Sequence, residues 1–435
     1  MKQPIMSIVR SLPSLSLLAP LLFVPLYAAN AAPMQIDVST VAPRQQNQVA
    51  FVNFAGDSVL SPIIFKNLSQ TELSVTNKDL PQQPRSSSEL AGTLSVWQQL
   101  GIPYLVVGST RSDRGKVITE YEVIDIKAGR TIGGKQTLSS DNDTQNMRYA
   151  AHVIANKVYA LITGTSGDFS GRIAYIEEFG TDNNKISRLK VMDADGENAK
   201  TITEVNGAIF SPTWSPDASR IAYTVHREKS YPVIYVQNIS GGAATVVTPY
   251  KGSNMSPSFS PDGSKILFSG SHEGSADIYE INANGGNLRK LTNLPSSEVQ
   301  PNYAPDGKSF VFVSDKAGFN KPSIYRYTFS SGQITRISNG GYSARPQFNN
   351  DGSQIAILNG RSAAIMNSNG AIIANLGNTG IDESPSFSPN GKRVVYASKQ
   401  GGKSVLTIKS LNGGAAFGKS SQGTIRSPVW SNNLE

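Results

Sequence analysis

The spacing of apolar positions changes several times along the first 165 residues. Residues 48–54 (QVAFVNF) form an apolar run closed by Ala55-Gly56-Asp57 and predict a strand. Residues 58–68 set Val59, Ile63, Ile64 and Leu68 at helical spacing, with Pro62 in the first turns, where a missing N–H is tolerated. Ser86-Ser87-Ser88-Glu89 has the form of a capping box with Ser86 as N-cap. Leu90, Leu94, Trp97 and Leu100 follow on one helical face up to Gly101. Residues 103–109 read as a buried strand. Residues 117–127 alternate, and Ala128-Gly129 turns them into 130–138 as a hairpin. Residues 144–162 carry Met147, Ala150, Ile154, Val158 and Leu161 on one face ahead of Gly164. The order strand, helix, strand, helix, three strands, helix predicts a small α/β sheet covered by helices. His152 falls on the last helix and reads as a packed or surface side chain.

Beyond residue 165 the pattern repeats. Five phrases align without gaps: Ser211-Pro212-Thr213-Trp214-Ser215-Pro216-Asp217, Ser256-Pro257-Ser258-Phe259-Ser260-Pro261-Asp262-Gly263, Gln300-Pro301-Asn302-Tyr303-Ala304-Pro305-Asp306-Gly307, Arg345-Pro346-Gln347-Phe348-Asn349-Asn350-Asp351-Gly352 and Ser384-Pro385-Ser386-Phe387-Ser388-Pro389-Asn390-Gly391. A truncated sixth is Ser427-Pro428-Val429-Trp430-Ser431. Successive first prolines lie 45, 44, 45, 39 and 43 residues apart. The aromatic two residues after each proline shares its strand face and predicts a plug between layers. Pro-Asp-Gly predicts a tight turn: proline presets φ, aspartate bonds its own backbone and glycine supplies positive φ. An alternating strand follows each turn, then two more around a Gly-rich hairpin. Four strands per unit of this length describe a propeller blade.

The two ends complete one another. The first alternating strand, Ile173-Ala174-Tyr175, has no Pro-aromatic phrase before it, and the last phrase has no strand after it. Pairing them gives a six-bladed ring without loose sheet edges. Residues 171–435 number 265, room for six units of about 44. A ring of the turn residues Asp217, Asp262, Asp306 and Asp351 could also gather oxygens around a Ca²⁺ ion. Asn390 at the fifth position favours turn formers.

Composition narrows the function. The chain contains no Cys and three His, at 152, 226 and 272. Disulfides, thiolate metal sites and Cys nucleophiles are excluded, and no His-rich metal centre is expected. The net charge is +8, spread without any basic run, which argues against nucleic acid. Residues 1–31 open with Lys2 and Arg10, continue through an apolar stretch broken by Pro20 and Pro25, and end in Ala29-Asn30-Ala31. They predict a cleaved signal peptide. No later stretch reaches 18 apolar residues. No G-x-S-x-G, P-loop or H-E-x-x-H is present, and no acid/base constellation can be assembled. The expected organisation is a signal peptide (1–31), an N-terminal α/β domain with a mobile leading segment (32–165) and an all-β six-bladed propeller (166–435), with no cofactor and no metal.

These residues resemble the TolB family, the periplasmic propeller proteins of the Tol–Pal cell-envelope system. The resemblance is carried by the export signal, the segment Leu100-Gly101-Ile102-Pro103-Tyr104-Leu105-Val106-Val107-Gly108, the hairpin Tyr121-Glu122-Val123-Ile124-Asp125 and a helix with Ala151, His152, Val158 and Tyr159 leading to Arg172-Ile173-Ala174-Tyr175. It implies a monomeric periplasmic adaptor, not an enzyme. Such an adaptor would bind the peptidoglycan-associated lipoprotein Pal at the channel mouth and TolA through the mature N-terminal segment, with other outer-membrane lipoproteins or porins as further partners. It would maintain the outer membrane, constrict it at cell division and be exploited in bacteriocin transport. The leading segment is 32–43, with Met34, Ile36 and Val38 as contact candidates. Geometrically, the loops that cross from one blade to the next converge on the axis just before each proline. They nominate Ser253, Asn254, Ser256, Glu298, Gln300, Tyr342, Ser343, Arg345, Asp382, Glu383 and Arg426 as partner-binding residues. Two other readings stand beside the adaptor: a hydrolase or lyase acting on envelope glycan or peptide in the channel, and a lectin-like module.

Overall fold

The computed structural model describes residues 48–181, 184–318, 321–381, 383–413 and 416–434. The signal-like segment, Met34, Ile36, Val38 and Asp382 lie outside the described residues. No helix of the described residues is long and apolar enough to cross a membrane.

The N-terminal region is built on one five-stranded sheet. Strand β1 (Gln48–Phe51) leads into helix α1 (Leu60–Ser69). Asp57 starts that helix: Oδ1 accepts the N–H groups of Val59 (2.9 Å) and Leu60 (2.8 Å), and Oδ2 accepts that of Ser61 (2.6 Å). Strand β2 (Ser74–Thr76), too short for its pattern to mark, pairs parallel to β1. The single helix expected behind Ser86 is two short pieces, a 3₁₀ turn (Ser87–Leu90) and α2 (Leu94–Gln99). Ser86 does not cap it. A carboxylate from the sheet, Glu122, accepts the N–H (2.7 Å) and hydroxyl (2.9 Å) of Ser87 instead. Leu90 and Trp97 still bury against the sheet, whereas Leu100 is exposed.

Strands β3 (Tyr104–Asp113), β4 (Lys116–Asp125) and β5 (Arg130–Asp141) complete the order β2-β1-β3-β4-β5. Helix α3 (Thr144–Thr163) is capped by Asp143 and ends at Gly164 with φ +75°. Its buried face, with Met147, Ile154 and Val158, shares a core with α1 and the sheet. His152 is buried.

Six four-stranded antiparallel sheets follow. Strands β6 (Arg172–Phe179), β7 (Ile186–Asp193) and β8 (Lys200–Asn206) belong to the sheet whose innermost strand is the last of the chain, Thr424–Trp430. Trp430 lies opposite Ile173 and Val429 opposite Ala174. The ring is therefore closed by its own ends, as the fragments predicted. The other inner strands are Ala208–Trp214, Asn254–Phe259, Glu298–Tyr303, Ser343–Phe348 and Ser386–Phe387.

The aromatic of each phrase lies between neighbouring blades. Phe259, for example, packs with Ala222 and Ile234 of the preceding blade. In three of the phrases the residue before the aromatic clasps the next blade. Ser258 Oγ accepts the N–H of Tyr303 (3.1 Å), Asn302 Oδ1 that of Phe348 (2.9 Å) and Ser386 Oγ that of Trp430 (3.1 Å).

The turn aspartates do what turn chemistry demands. Asp217, Asp262, Asp306 and Asp351 each accept the N–H two residues on, at 3.1, 3.0, 2.9 and 2.7 Å. Departures from the repeat mark places where the ring touches other parts of the chain. Asn390 keeps the turn bond to Lys392 N–H (3.0 Å), and its amide also donates to the Ser166 carbonyl (3.0 Å), which an aspartate could not do. Asn350, in place of a proline, donates to the Pro389 carbonyl (3.0 Å) and to Asn432 Oδ1 (2.9 Å). The tail Asn432-Asn433-Leu434 then ties to the Pro216 carbonyl, the Gly167 carbonyl and the Tyr149 hydroxyl.

The N-terminal sheet and its helices dock on this turn rim. Asp168, in the connecting segment, accepts two bonds from Arg393 (2.9 and 2.6 Å), both side chains buried. The guanidinium also lies over the Phe169 and Trp430 rings. Arg148 of α3 reaches Asp193 (3.0 Å) and Asp195 (2.7 Å).

Candidate functional site: the channel and its mouth

The opposite rim, where the inner strands begin, opens into a cavity of about 100 Å³. Its walls include Ser211, Ser256, Gln300, Arg345, Glu383 and Ser427, with the following prolines. Five residues at equivalent places are held left-handed: Ser211 (φ +47°), Ser256 (+56°), Gln300 (+54°), Arg345 (+53°) and Ser427 (+44°). The cause is local. Where the inner strand meets proline the ladder slips, as between Met255 and Ser258 or Val299 and Asn302, so extra residues oppose the neighbouring strand. Such a conformation costs a non-glycine residue about 1–3 kcal/mol and persists only where its surroundings fix it.

Side chains fix it from one blade to the next. Gln300 Oε1 accepts the Arg345 N–H at 2.8 Å. Glu383 accepts both the N–H and the hydroxyl of Ser427. Glu383 is buried, and that burial pushes its carboxyl upward against the pull of Arg345 and Arg426.

Of the residues nominated from sequence, Ser256, Gln300, Arg345 and Glu383 meet in this cavity. Tyr342 stands on the rim, 46% exposed. Arg426 flanks the cavity 3.5 Å from Glu178. Ser253 is tied to the adjacent loop, its N–H donating to Ser271 Oγ at 2.9 Å. Asn254, Glu298 and Ser343 are buried and hold the rim together from beneath. Asn254 donates its amide to the carbonyls of Pro232, Tyr250 and Gly252 (3.2, 3.0 and 3.0 Å). Glu298 accepts from Ser296 (2.5 Å) and Ser314 (3.1 Å), and burial raises its carboxyl. These three begin their inner strands, where their backbone N–H groups bond Pro232, Ala276 and Pro322. Strict alternation would set them on the same face as the left-handed residues two positions on. The register slip beside each proline breaks that alternation, so these three are buried while Ser256, Gln300 and Arg345 line the channel. Ser211, Ser384 and Ser427 line the mouth and were not nominated, although they occupy the repeat position of Ser256.

The channel widens toward the turn rim into a second cavity of about 780 Å³. Thr213, Asn302, Gln347 and Val429 border both cavities and mark the waist. All four are uncharged. The wide end is lined by the edges of Trp214, Phe259, Tyr303 and Trp430, by turn prolines and by Asn432 and Asn433 of the tail.

One other cluster has ligand-type atoms. His152, Asp193 and Asp195 lie within 4.8 Å of one another. Arg148 already binds both carboxylates, and His152 Nδ1 meets Asn67 at 2.8 Å. The group reads as an ion-pair junction between α3 and the propeller.

Comparison with known proteins matches this architecture. Residues 159–434 match the TolB beta propeller domain family. The Tol-Pal system protein TolB of Acinetobacter baylyi is 38% identical over 400 residues, covering 89% of this chain and 92% of that protein. The protein of the same name from Xylella fastidiosa is 39% identical over 341 residues, 77% of this chain and 76% of that one. The crystal structure of TolB from Acinetobacter baumannii superimposes with a TM-score of 0.79 at 34% identity, covering 90% of this chain and 98% of that chain. With its ring closed by its own ends and an α/β sheet docked on one rim, this chain belongs to the TolB family of Tol–Pal system proteins.

Proposed function

We propose that the protein is a non-enzymatic periplasmic adaptor of the Tol–Pal system. It holds the lipoprotein Pal at the channel mouth and engages TolA through residues 32–43, helping to keep the outer membrane joined to the wall and to draw it in at division. The observation that carries the reading is the mouth: a ring of left-handed residues with Arg345 and Tyr342 at its edge, on the rim opposite the docked N-terminal sheet. Strain concentrated in a solvent-facing concavity is the mark of a recognition site.

A hydrolase or lyase would need acid and base groups facing a substrate. The uncharged waist and the engagement of Glu383 by Ser427 argue for binding without turnover. The test is capture of the soluble domain of Pal by the mature protein. Wild type should retain it. Joint replacement of Gln300, Tyr342 and Arg345 by Ala should weaken capture at least about tenfold, the loss of one to two anchor residues. Unchanged capture by that variant overturns the site, and turnover of envelope glycan by purified protein overturns the adaptor.

A further inference from the structure

Charge is managed differently at the two rims. The turn rim carries both signs of charge: the exposed acids Asp217, Asp262, Asp306 and Asp351 share it with the exposed Lys200 and Lys308, and other cations there hold carboxylates within the chain. Lys265 and Arg289 both sit 3.0 Å from Glu280, and Lys66 sits 3.1 Å from Glu197. Around the mouth, Lys251, Lys316, Lys321, Arg336, Lys399 and Lys403 are exposed, and among the described residues none of them forms an ion pair. The acids of this rim do not balance them. Glu228 and Glu273 are taken by Lys229 (3.6 Å) and Lys290 (3.0 Å), Glu298 and Glu383 are buried, and the partly exposed Asp315, which accepts the Ser297 N–H at 3.0 Å, is one acid against these six cations.

We infer that the mouth is an electrostatic docking surface for an acidic protein segment, whose carboxylates meet Arg345 in the cavity and the surrounding lysines on the rim. This rests on the adaptor reading and adds the chemistry of the partner. The chain supplies an internal example, since Glu383 already seats a carboxylate on the Ser427 N–H in the mouth wall. A concave cavity holding Arg345 favours a protruding protein segment over a flat anionic membrane. Uncompensated like charge around a concavity speeds encounter with an opposite charge and loses that effect in salt.

The test uses the mature protein with two probes, the soluble domain of Pal and a short poly-L-glutamate peptide. The mouth variant is Lys251→Glu/Lys316→Glu/Lys403→Glu. The control, at the other rim, is Lys200→Glu/Lys308→Glu/Lys409→Glu. For both probes the mouth variant should slow association about tenfold at about 50 mM salt, with dissociation changed less than about twofold. The control should match wild type, and the difference should vanish at about 500 mM salt. If Pal binds with the same association rate in wild type and mouth variant at both salts, the inference is overturned and the adaptor stands. If Pal fails to bind at any salt while poly-L-glutamate shows the expected pattern, the adaptor fails and the acidic-segment site stands. Retention on phosphatidylglycerol vesicles through the same lysines, with no binding of poly-L-glutamate, overturns it in favour of a membrane surface.

Discussion

The two rims of the propeller are made from the same repeat, yet they behave as opposites. At the turn rim, polar groups are satisfied inside the chain: turn aspartates hold their own backbone, Arg393 holds Asp168, and Arg148 holds Asp193 and Asp195. At the mouth, strained backbone faces a small cavity, and six exposed cations, Lys251 and Lys316 among them, form no ion pair among the described residues. One rim is finished by folding, and the other is the one we propose as the partner site. The lesson is that a repeat sets the scaffold, while its ends divide stability from recognition.

The sharpest way to break this contrast is at the turn rim. Arg393→Ala leaves Asp168 buried without its partner and should cost about 3–5 kcal/mol in denaturant unfolding. The exposed mouth variant Tyr342→Ala should stay within about 0.5 kcal/mol of wild type. Equal effects of the two would erase the distinction.

A smaller effect is expected from Asn390→Asp. The turn bond to Lys392 survives, but the donor to the Ser166 carbonyl is lost. The loss should be about 1 kcal/mol by the same measurement. No loss would mean that the amide is incidental to docking.

The smallest effects separate the rims by pH. Hydrogen bonds from Ser215 and Ser219 lower Asp217 to about 2, and those from Ser260 and Ser264 lower Asp262 to about 2. A carboxyl lowered by folding lends stability above its ordinary value near 3.8, and that stability is lost as pH falls through about 2. Burial raises Glu298 and Glu383, so their contribution is full below about 4.5 and is lost as pH rises through the raised values. In thermal unfolding across pH, Asp217→Asn/Asp262→Asn should flatten the acid limb between about 4 and 2. Glu298→Gln/Glu383→Gln should flatten the decline above about 4.5. Reversed assignments would show that the rims are not polarised as described.

Much of this was legible in the chain. Local rules of turn and strand act through neighbours, so Pro-Asp-Gly, the alternating strands and the matching end fragments predicted six blades and their closure before any contact was known. Asp57, by contrast, read only as the end of a strand, although its carboxylate starts α1. The capping box at Ser86 failed because Glu122, distant in sequence, binds the same turn.

The candidate site was half visible for a related reason. Proximity to each proline selected the correct loops, but Asn254, Glu298 and Ser343 lie on the buried side of their strands while the unnominated Ser211 and Ser427 face the cavity. A bulge next to proline shifts alternation, and that shift is set by pairing with the next strand. The sequence by itself determined periodicity, turns and blade number, because those depend on residues a few positions apart. Only the tertiary structure decided which carboxylates are buried, which cations lack partners and which rim the N-terminal sheet covers, because these follow from groups brought together across hundreds of residues.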